Sequence, residues 1–230
     1  YLDPMVDDLA RESRNSTLLL RVSSDANLAI NAEWAEYLTR RALEFDPDNP
    51  EAVVKLGRVL RTVGRNEEAL QYFQRYHQMV PGDFLGLAHI GSCLSAMGRY
   101  QDAESYLRRA VAGIDDPQTH YNLGLLLSIT NRGNEAIAEY EKALARDPMH
   151  ADARLNMATA LARQGRMDQA SRELTRLVDQ DPDNAVARTN LGVVLIQQGK
   201  VAQARAQLEA ALRTDPALDT ARQALDSIAH

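Results

Sequence analysis

Apolar residues recur along this chain at the spacing of a helix. Leu123, Leu126 and Leu127 share one helical face, and after a short break Ile137, Tyr140 and Leu144 share another. Each such run is about three turns long, and no stretch reads as a strand. Between runs stands a repeated turn signal: Val63-Gly64-Arg65, Met97-Gly98-Arg99, Thr130-Asn131-Arg132, Gln164-Gly165-Arg166 and Gln198-Gly199-Lys200. Glycine, with asparagine as its usual substitute, is the residue for a helix that must end in a left-handed conformation. The unit predicted is a helical hairpin. Prolines close each unit and open the next, because proline lacks an N–H and is tolerated only in the first turn of a helix.

The hairpins repeat. Pro47, Pro81, Pro117, Pro148, Pro182 and Pro216 are separated by 34, 36, 31, 34 and 34 residues, which sets a period of 34. A small residue falls 24 before the proline at Gly57, Gly124 and Gly192, with Ala158 in the equivalent place, and lets two helices approach closely. A second small position holds Ala35, Ala69, Ala136, Ala170 and Ala204. Ala103 keeps its register with Gly91 but sits two residues further from Pro117, and the extra pair belongs to Gly113 and Ile114.

Paired small residues, an interhelix glycine and a closing proline at this period resemble the tetratricopeptide repeat (TPR) family. The resemblance implies an all-α fold, a right-handed superhelical α-solenoid of helical hairpins with first helices lining a concave surface. Five full copies are read at 50-83, 84-116, 117-150, 151-184 and 185-218. A degenerate copy at 16-49 keeps Ala35, Ala42 and Pro47 but carries Ser23 at the first small position and Ile30 at the interhelix turn. Residues 219-230 are expected to cap the array with a last helix that turns Ala221, Leu225 and Ile228 inward. Residues 1-15 are expected to cap the other end, with a helix start at Asp3-Pro4. Three-turn helices are marginal alone, so each hairpin must stack on its neighbours.

With that fold implied, the sixth position of each first helix points into the concave surface and reads Arg21, Lys55, His89, Asn122, Asn156, Asn190. A carboxamide both donates and accepts, so a row of three can pair with the N–H and C=O groups of an extended peptide. The row is similar to the Asn ladder in the TPR region of O-linked N-acetylglucosamine transferases. The competing reading is ordinary solvated or satisfied asparagine. Toward the N-terminus the row turns basic, with Arg58 and Arg61 following Lys55 at i+3 and i+6. A cationic end of this kind would take an acidic or phosphorylated segment, or a C-terminal carboxylate, with extended backbone at the carboxamide end, against the alternative of a solvated basic face. The five-residue pattern of TPR adaptors that clamp acidic chaperone tails is not reproduced. Tyr121, Leu125, Ile129, Leu155 and Val193 are other inward candidates, more simply read as interhelix packing. Trp34, Phe45, Phe73 and Tyr140 are also read as packing residues.

Composition narrows the function. Lys and Arg number 26 against 32 Asp and Glu, a net charge of −6, which speaks against nucleic acid as a partner. No apolar run approaches 18 residues, so direct membrane insertion is not expected. Lone Cys93 excludes an intrachain disulfide, and no Cys/His cluster has zinc-finger spacing. His89 and Cys93, at i and i+4, could form a thiol–imidazole pair, but Cys93 occupies a position where other copies carry Val59, Leu126, Ala160 and Val194. The remaining histidines show no metal-ligand spacing, and no glycine motif cradles a phosphate. The expectation is a protein without catalytic residues, metal or cofactor. The start at Tyr1-Leu2-Asp3-Pro4, without initiator Met or signal-peptide pattern, points to an excised domain or a processed product and leaves the compartment unread. The leading expectation is a protein–protein interaction scaffold that binds an extended peptide in its groove through Arg21, Lys55, Arg58, Arg61, His89, Asn122, Asn156 and Asn190. The alternatives are a substrate-presenting region of a larger enzyme, glycosyltransferase-like or fused to a haem domain, and a self-assembly module.

Overall fold

The computed structural model describes residues 15–25 and 32–228, without the side chains of 21–25. Most of the expected N-terminal capping segment, and Ile30 with it, lies outside the described residues. Within them every regular element is a helix: α1 (Ser16–Asp25), α2 (Ala32–Phe45), α3 (Pro50–Thr62), α4 (Asn66–Met79), α5 (Phe84–Ala96), α6 (Tyr100–Gly113), α7 (Pro117–Ile129), α8 (Gly133–Arg146), α9 (Ala151–Arg163), α10 (Met167–Gln180), α11 (Ala185–Gln197), α12 (Val201–Thr214) and α13 (Asp219–Asp226). None is long and apolar enough to cross a membrane.

The helices form two compact units, Tyr1–Ile114 and Asp115–His230. Their boundary falls at the Gly113-Ile114 insertion that broke the period. In unit 1, α1 to α6 pack each on the next in chain order; in unit 2, α7 to α12 do the same and α13 closes on α11 and α12. Each unit is thus a stack of helical hairpins.

Local chemistry fixes where the helices begin and end. Six first helices start at an acceptor side chain that takes an early backbone N–H: Asn15 from Leu18, Asn49 from Ala52, Asp83 from Leu85, Asp116 from Thr119, His150 from Ala153 and Asn184 from Ala187. Second helices α4, α6, α8 and α10 start at an arginine instead. There Arg65, Arg99, Arg132 and Arg166 reach forward to the acid or amide three residues on, Glu68, Asp102, Glu135 and Gln169. The hairpin turn takes positive φ at Gly64, Gly98, Asn131, Gly165 and Gly199, between 62° and 79°. That is the left-handed region in which a side chain is strained.

The first small position is a notch for one large side chain of the second helix. A Cβ on Gly124 would stand 2.7 Å from the Tyr140 ring, and one on Gly57 would stand 2.7 Å from Phe73. Both rings are fully buried. Gly91 and Gly192 are notches for leucines, with Leu107 and Leu208 Cγ 2.6 Å from an added Cβ, while Ala158 holds this position in the copy at 151-184 and is buried. At the second small position Ala35, Ala69, Ala103, Ala136, Ala170 and Ala204 are completely buried. The C-terminal α13 buries Ala221 and packs Leu225 and Ile228 against Leu208 and Ala211, so the last hairpin's apolar end is covered. Phe45, expected to pack, is instead 42% exposed beneath the Arg41 guanidinium, because it ends α2 beyond the last small position of that helix.

Candidate functional site

In unit 2, Asn122, Asn156 and Asn190 occupy the same position on α7, α9 and α11. These first helices touch in sequence, α7 with α9 and α9 with α11. All three side chains are half-buried. Their surroundings differ. Asn122 accepts a hydrogen bond from Gln118 Nε2 at 3.0 Å, one helical turn back. Asn156 donates from Nδ2 to the Tyr121 hydroxyl at 3.2 Å, a bond that crosses from α9 to α7. Tyr121 is held by ring contacts with His150, 4.9 Å between centroids, and with Tyr140 at 6.1 Å. Burial pushes its phenol above the usual tyrosine range, so the hydroxyl keeps its proton and can both donate and accept.

Asn190 opens on a hollow of about 240 Å³ between α9 and α11. Ala158, Ala162, Leu174, Val193 and Val194 make it mainly apolar. Of the other inward candidates, Ile129 is 50% and Val193 37% exposed, while Leu125 and Leu155 are half-buried. These positions of unit 2 therefore carry carboxamides beside accessible aliphatic surface.

Unit 1 distributes its basic residues differently from the even row expected. Lys55 is 9% exposed, and its ammonium donates to the Leu20 carbonyl of α1. A buried ammonium needs such a partner, and this one ties the first helices of two hairpins together. Its charge is directed into the stack. Arg58 and Arg61 are exposed on α3. His89 lies flat on Phe73, 4.7 Å between ring centroids and 21° between planes. Arg21 falls within α1, and its side chain is outside the described set.

Cys93 is fully buried, and burial pushes its thiol up to about 11. At neutral pH it stays protonated and is a poor nucleophile. Among the described residues no group of three or more His, Cys, Asp or Glu could hold a metal ion.

A set of buried polar ties is absent from the sequence-based expectations. At the fourth position of the first helices in unit 2, His120 Nδ1 lies 2.7 Å from Glu139 on α8, Arg154 pairs with Glu173 on α10 at 2.7 Å, and Arg188 donates to Gln207 on α12 at 2.8 Å. Arg154, Arg188 and Arg222 also donate to the carbonyls of Pro148, Pro182 and Pro216, six residues back. These four residues stand 34 apart in the sequence, and that periodic polarity inside otherwise apolar helices is the signal that could have found them.

Comparison with known proteins fits this architecture. Sequence models described as tetratricopeptide repeat match residues 33–84, 87–121, 130–184 and 172–228. The chain belongs to the tetratricopeptide repeat family. Among curated proteins, Tetratricopeptide repeat protein 8 of Caenorhabditis elegans is 26% identical over 130 residues, which cover 55% of this chain. The match takes in only 26% of that relative's length. Among solved structures, the TPR α-solenoid is similar to the APC/C hetero-tetramer Cut9-Hcn1, with a TM-score of 0.84 and 18% identity over 98% of this chain and 45% of that one. It is also similar to PilW, a type IV pilus biogenesis factor, with a TM-score of 0.80 and 16% identity over 91% of this chain and 98% of that one. YrrB, a TPR protein with an unusual peptide-binding site, aligns with a TM-score of 0.65 and 21% identity over 82% of this chain and 97% of that one. At these identities the likeness is one of fold.

Proposed function

We propose that this TPR chain is a non-catalytic scaffold that holds an extended segment of a partner protein on the first helices of unit 2. The observation that carries the reading is the half-exposed row of Asn122, Asn156 and Asn190 on three successive first helices, each touching the next. Each amide can offer a donor and an acceptor to a peptide backbone, and the Tyr121 hydroxyl adds one more polar contact between the first two. Backbone pairing of this kind holds many sequences weakly, and accessible aliphatic surface between the helices then selects among them. The resemblance expected from the sequence, to the Asn ladder of O-linked N-acetylglucosamine transferases, would fit backbone recognition. A peptide-binding site in the TPR protein YrrB supports the use of this fold for such ligands.

Arg58 and Arg61 give unit 1 a solvent-facing basic pair of its own, suited to an acidic stretch of a partner. His89 extends that face with a stacked imidazole, and Arg21 is its expected continuation on α1. Lys55 supports the face from within by fixing α1 on α3.

The test is a binding titration of labelled peptides, selected from a random displayed library on the intact protein, against the Asn122→Ala/Asn156→Ala/Asn190→Ala variant. Loss of three net hydrogen bonds of about 1 kcal/mol each predicts a fall in affinity of roughly 100-fold. Equal affinity for the variant and the parent would remove the carboxamide row from the binding site.

A further inference from the structure

Peptide binding by unit 2 leaves the ligand's sequence undefined, and the surroundings of Arg163 specify it further; the motif they define rests on that peptide-binding role. Two hollows meet at this residue, near the C-terminal end of α9. The first is the mainly apolar one of about 240 Å³ beside Asn190. The second, about 490 Å³, is polar and includes Ser128, Asn131, Asn134 and Gln164 in its lining. Arg163 lines both, and it is the single ionisable side chain in either lining. It is exposed, and no carboxylate among the described residues pairs with it.

Arg58 and Arg61 are also exposed without a carboxylate among the described residues, and Arg163 differs from them in lining two adjoining hollows. Net charge is −6, and Arg65, Arg99, Arg132, Arg146, Arg154 and Arg176 all hold carboxylates. A cation left without its own anion, between walls that carry none, attracts an anionic group. The planar guanidinium fork suits a carboxylate held bidentately. Beside it, an apolar hollow of this size takes an aliphatic side chain, which supplies affinity through desolvation. Asn190 is in the wall of the same hollow and can pair with the backbone of the residue that enters it.

We infer that unit 2 recognises an aliphatic–acidic motif: a Val, Ile or Leu side chain enters the hollow between α9 and α11, and an Asp or Glu within two residues of it meets Arg163. In an extended segment residues i and i+2 lie on one side about 7 Å apart, a step that joins two adjacent hollows.

The experiment selects a displayed library of random seven-residue peptides on the intact chain and on three folded variants, Arg163→Glu, Ala162→Leu and the triple asparagine-to-alanine form, each checked by circular dichroism. The parent is expected to enrich peptides with an aliphatic residue and an acid within two positions. Arg163→Glu should lose the acidic preference and bind a parent-selected peptide at least 10-fold more weakly, while an Asp-to-Asn change in that peptide should weaken parent binding similarly. Ala162→Leu, which fills the hollow, should shift the aliphatic position toward Gly or Ala. Parent-selected peptides without the paired motif, or the same motif selected by Arg163→Glu, would overturn the inference. If such unpatterned peptides still require the three asparagines, the peptide-groove reading survives and only the motif falls. If nothing enriches on the parent, both fall.

Discussion

Single atoms decide the hairpin geometry. The missing Cβ of Gly124 makes room for the Tyr140 ring, and the missing Cβ of Gly57 does the same for Phe73. Alanine at 124 improves helix propensity but drives a methyl into a rigid, buried ring, and overpacking of that kind costs about 1–3 kcal/mol. Gly124→Ala is therefore expected to lower the urea midpoint. Adding Tyr140→Leu should recover part of the loss, because the next copy carries Ala158 and Leu174 at the same two positions. Cys93 offers a second residue-scale expectation. Burial raises its thiol to about 11, so the folded chain keeps a proton that the unfolded chain releases near pH 9. The sign follows: this contribution to stability is intact below about pH 9 and is lost as pH rises through about 11. Tyr140, pushed up to about 12 by burial, acts in the same direction at higher pH. Urea titrations at pH 8 and pH 10.5 should show a fall that is smaller by about 2 kcal/mol in Cys93→Ala.

At the scale of elements, helices are held in pairs by notches and by polar ties, and the ties are asymmetric. Arg154 is 6% exposed and depends on Glu173 and the Pro148 carbonyl, whereas Glu173 has a second cation in Arg176. Removing the acid strands a buried guanidinium and is expected to cost about 3 kcal/mol for Glu173→Leu. Glu173→Gln should cost under about 1 kcal/mol, since Gln207 already faces Arg188 in the next hairpin with a neutral oxygen. Denaturant midpoints of the two variants, compared with the parent, check the difference. This level also shows what could be read in the chain beforehand. Helix ends are written locally, in Gly64 or Asn131 at the turns and in Asn49 or Asp116 at the starts, and local signals survive translation into structure. Period and small residues located the helix-pairing notches, since Gly57 and Phe73 lie only half a repeat apart. Side-chain partners chosen across 35 residues, such as Lys55 with the Leu20 carbonyl, were not readable, because position in a row does not say whether a long side chain turns outward or back into the stack. Arg163 escaped notice for the same reason: its lack of a carboxylate is a property of neighbours on other helices. Phe45 departs from expectation because aromatic character alone does not place a residue at a helix end in the core.

For the molecule as a whole, stability is close to a sum over neighbouring helices, so opening starts at weakly supported ends. At one end α13 covers Leu208 and Ala211, and at the other the described contacts of α1 centre on Leu19, Leu20 and Leu38 with Lys55 as a polar bolt. Each unit carries its own hairpin stack, and the candidate carboxamide row lies wholly within unit 2. On the proposed function, a peptide bound there needs no contact with unit 1, whose exposed Arg58 and Arg61 would meet a separate part of the partner.

The buried ammonium of Lys55 turns a structural contact into a chemical clock. Lysine occurs in this sequence only at Lys55, Lys142 and Lys200. An amine acylating reagent should mark Lys142, 55% exposed, and Lys200 at once, and reach Lys55 only when α1 lifts away from α3. Peptide mass spectrometry after timed exposure would then read the opening rate of the first hairpin at one atom, without any engineered label. Equal acylation of all three lysines in the first minutes would mean that α1 is not held by that bond in solution.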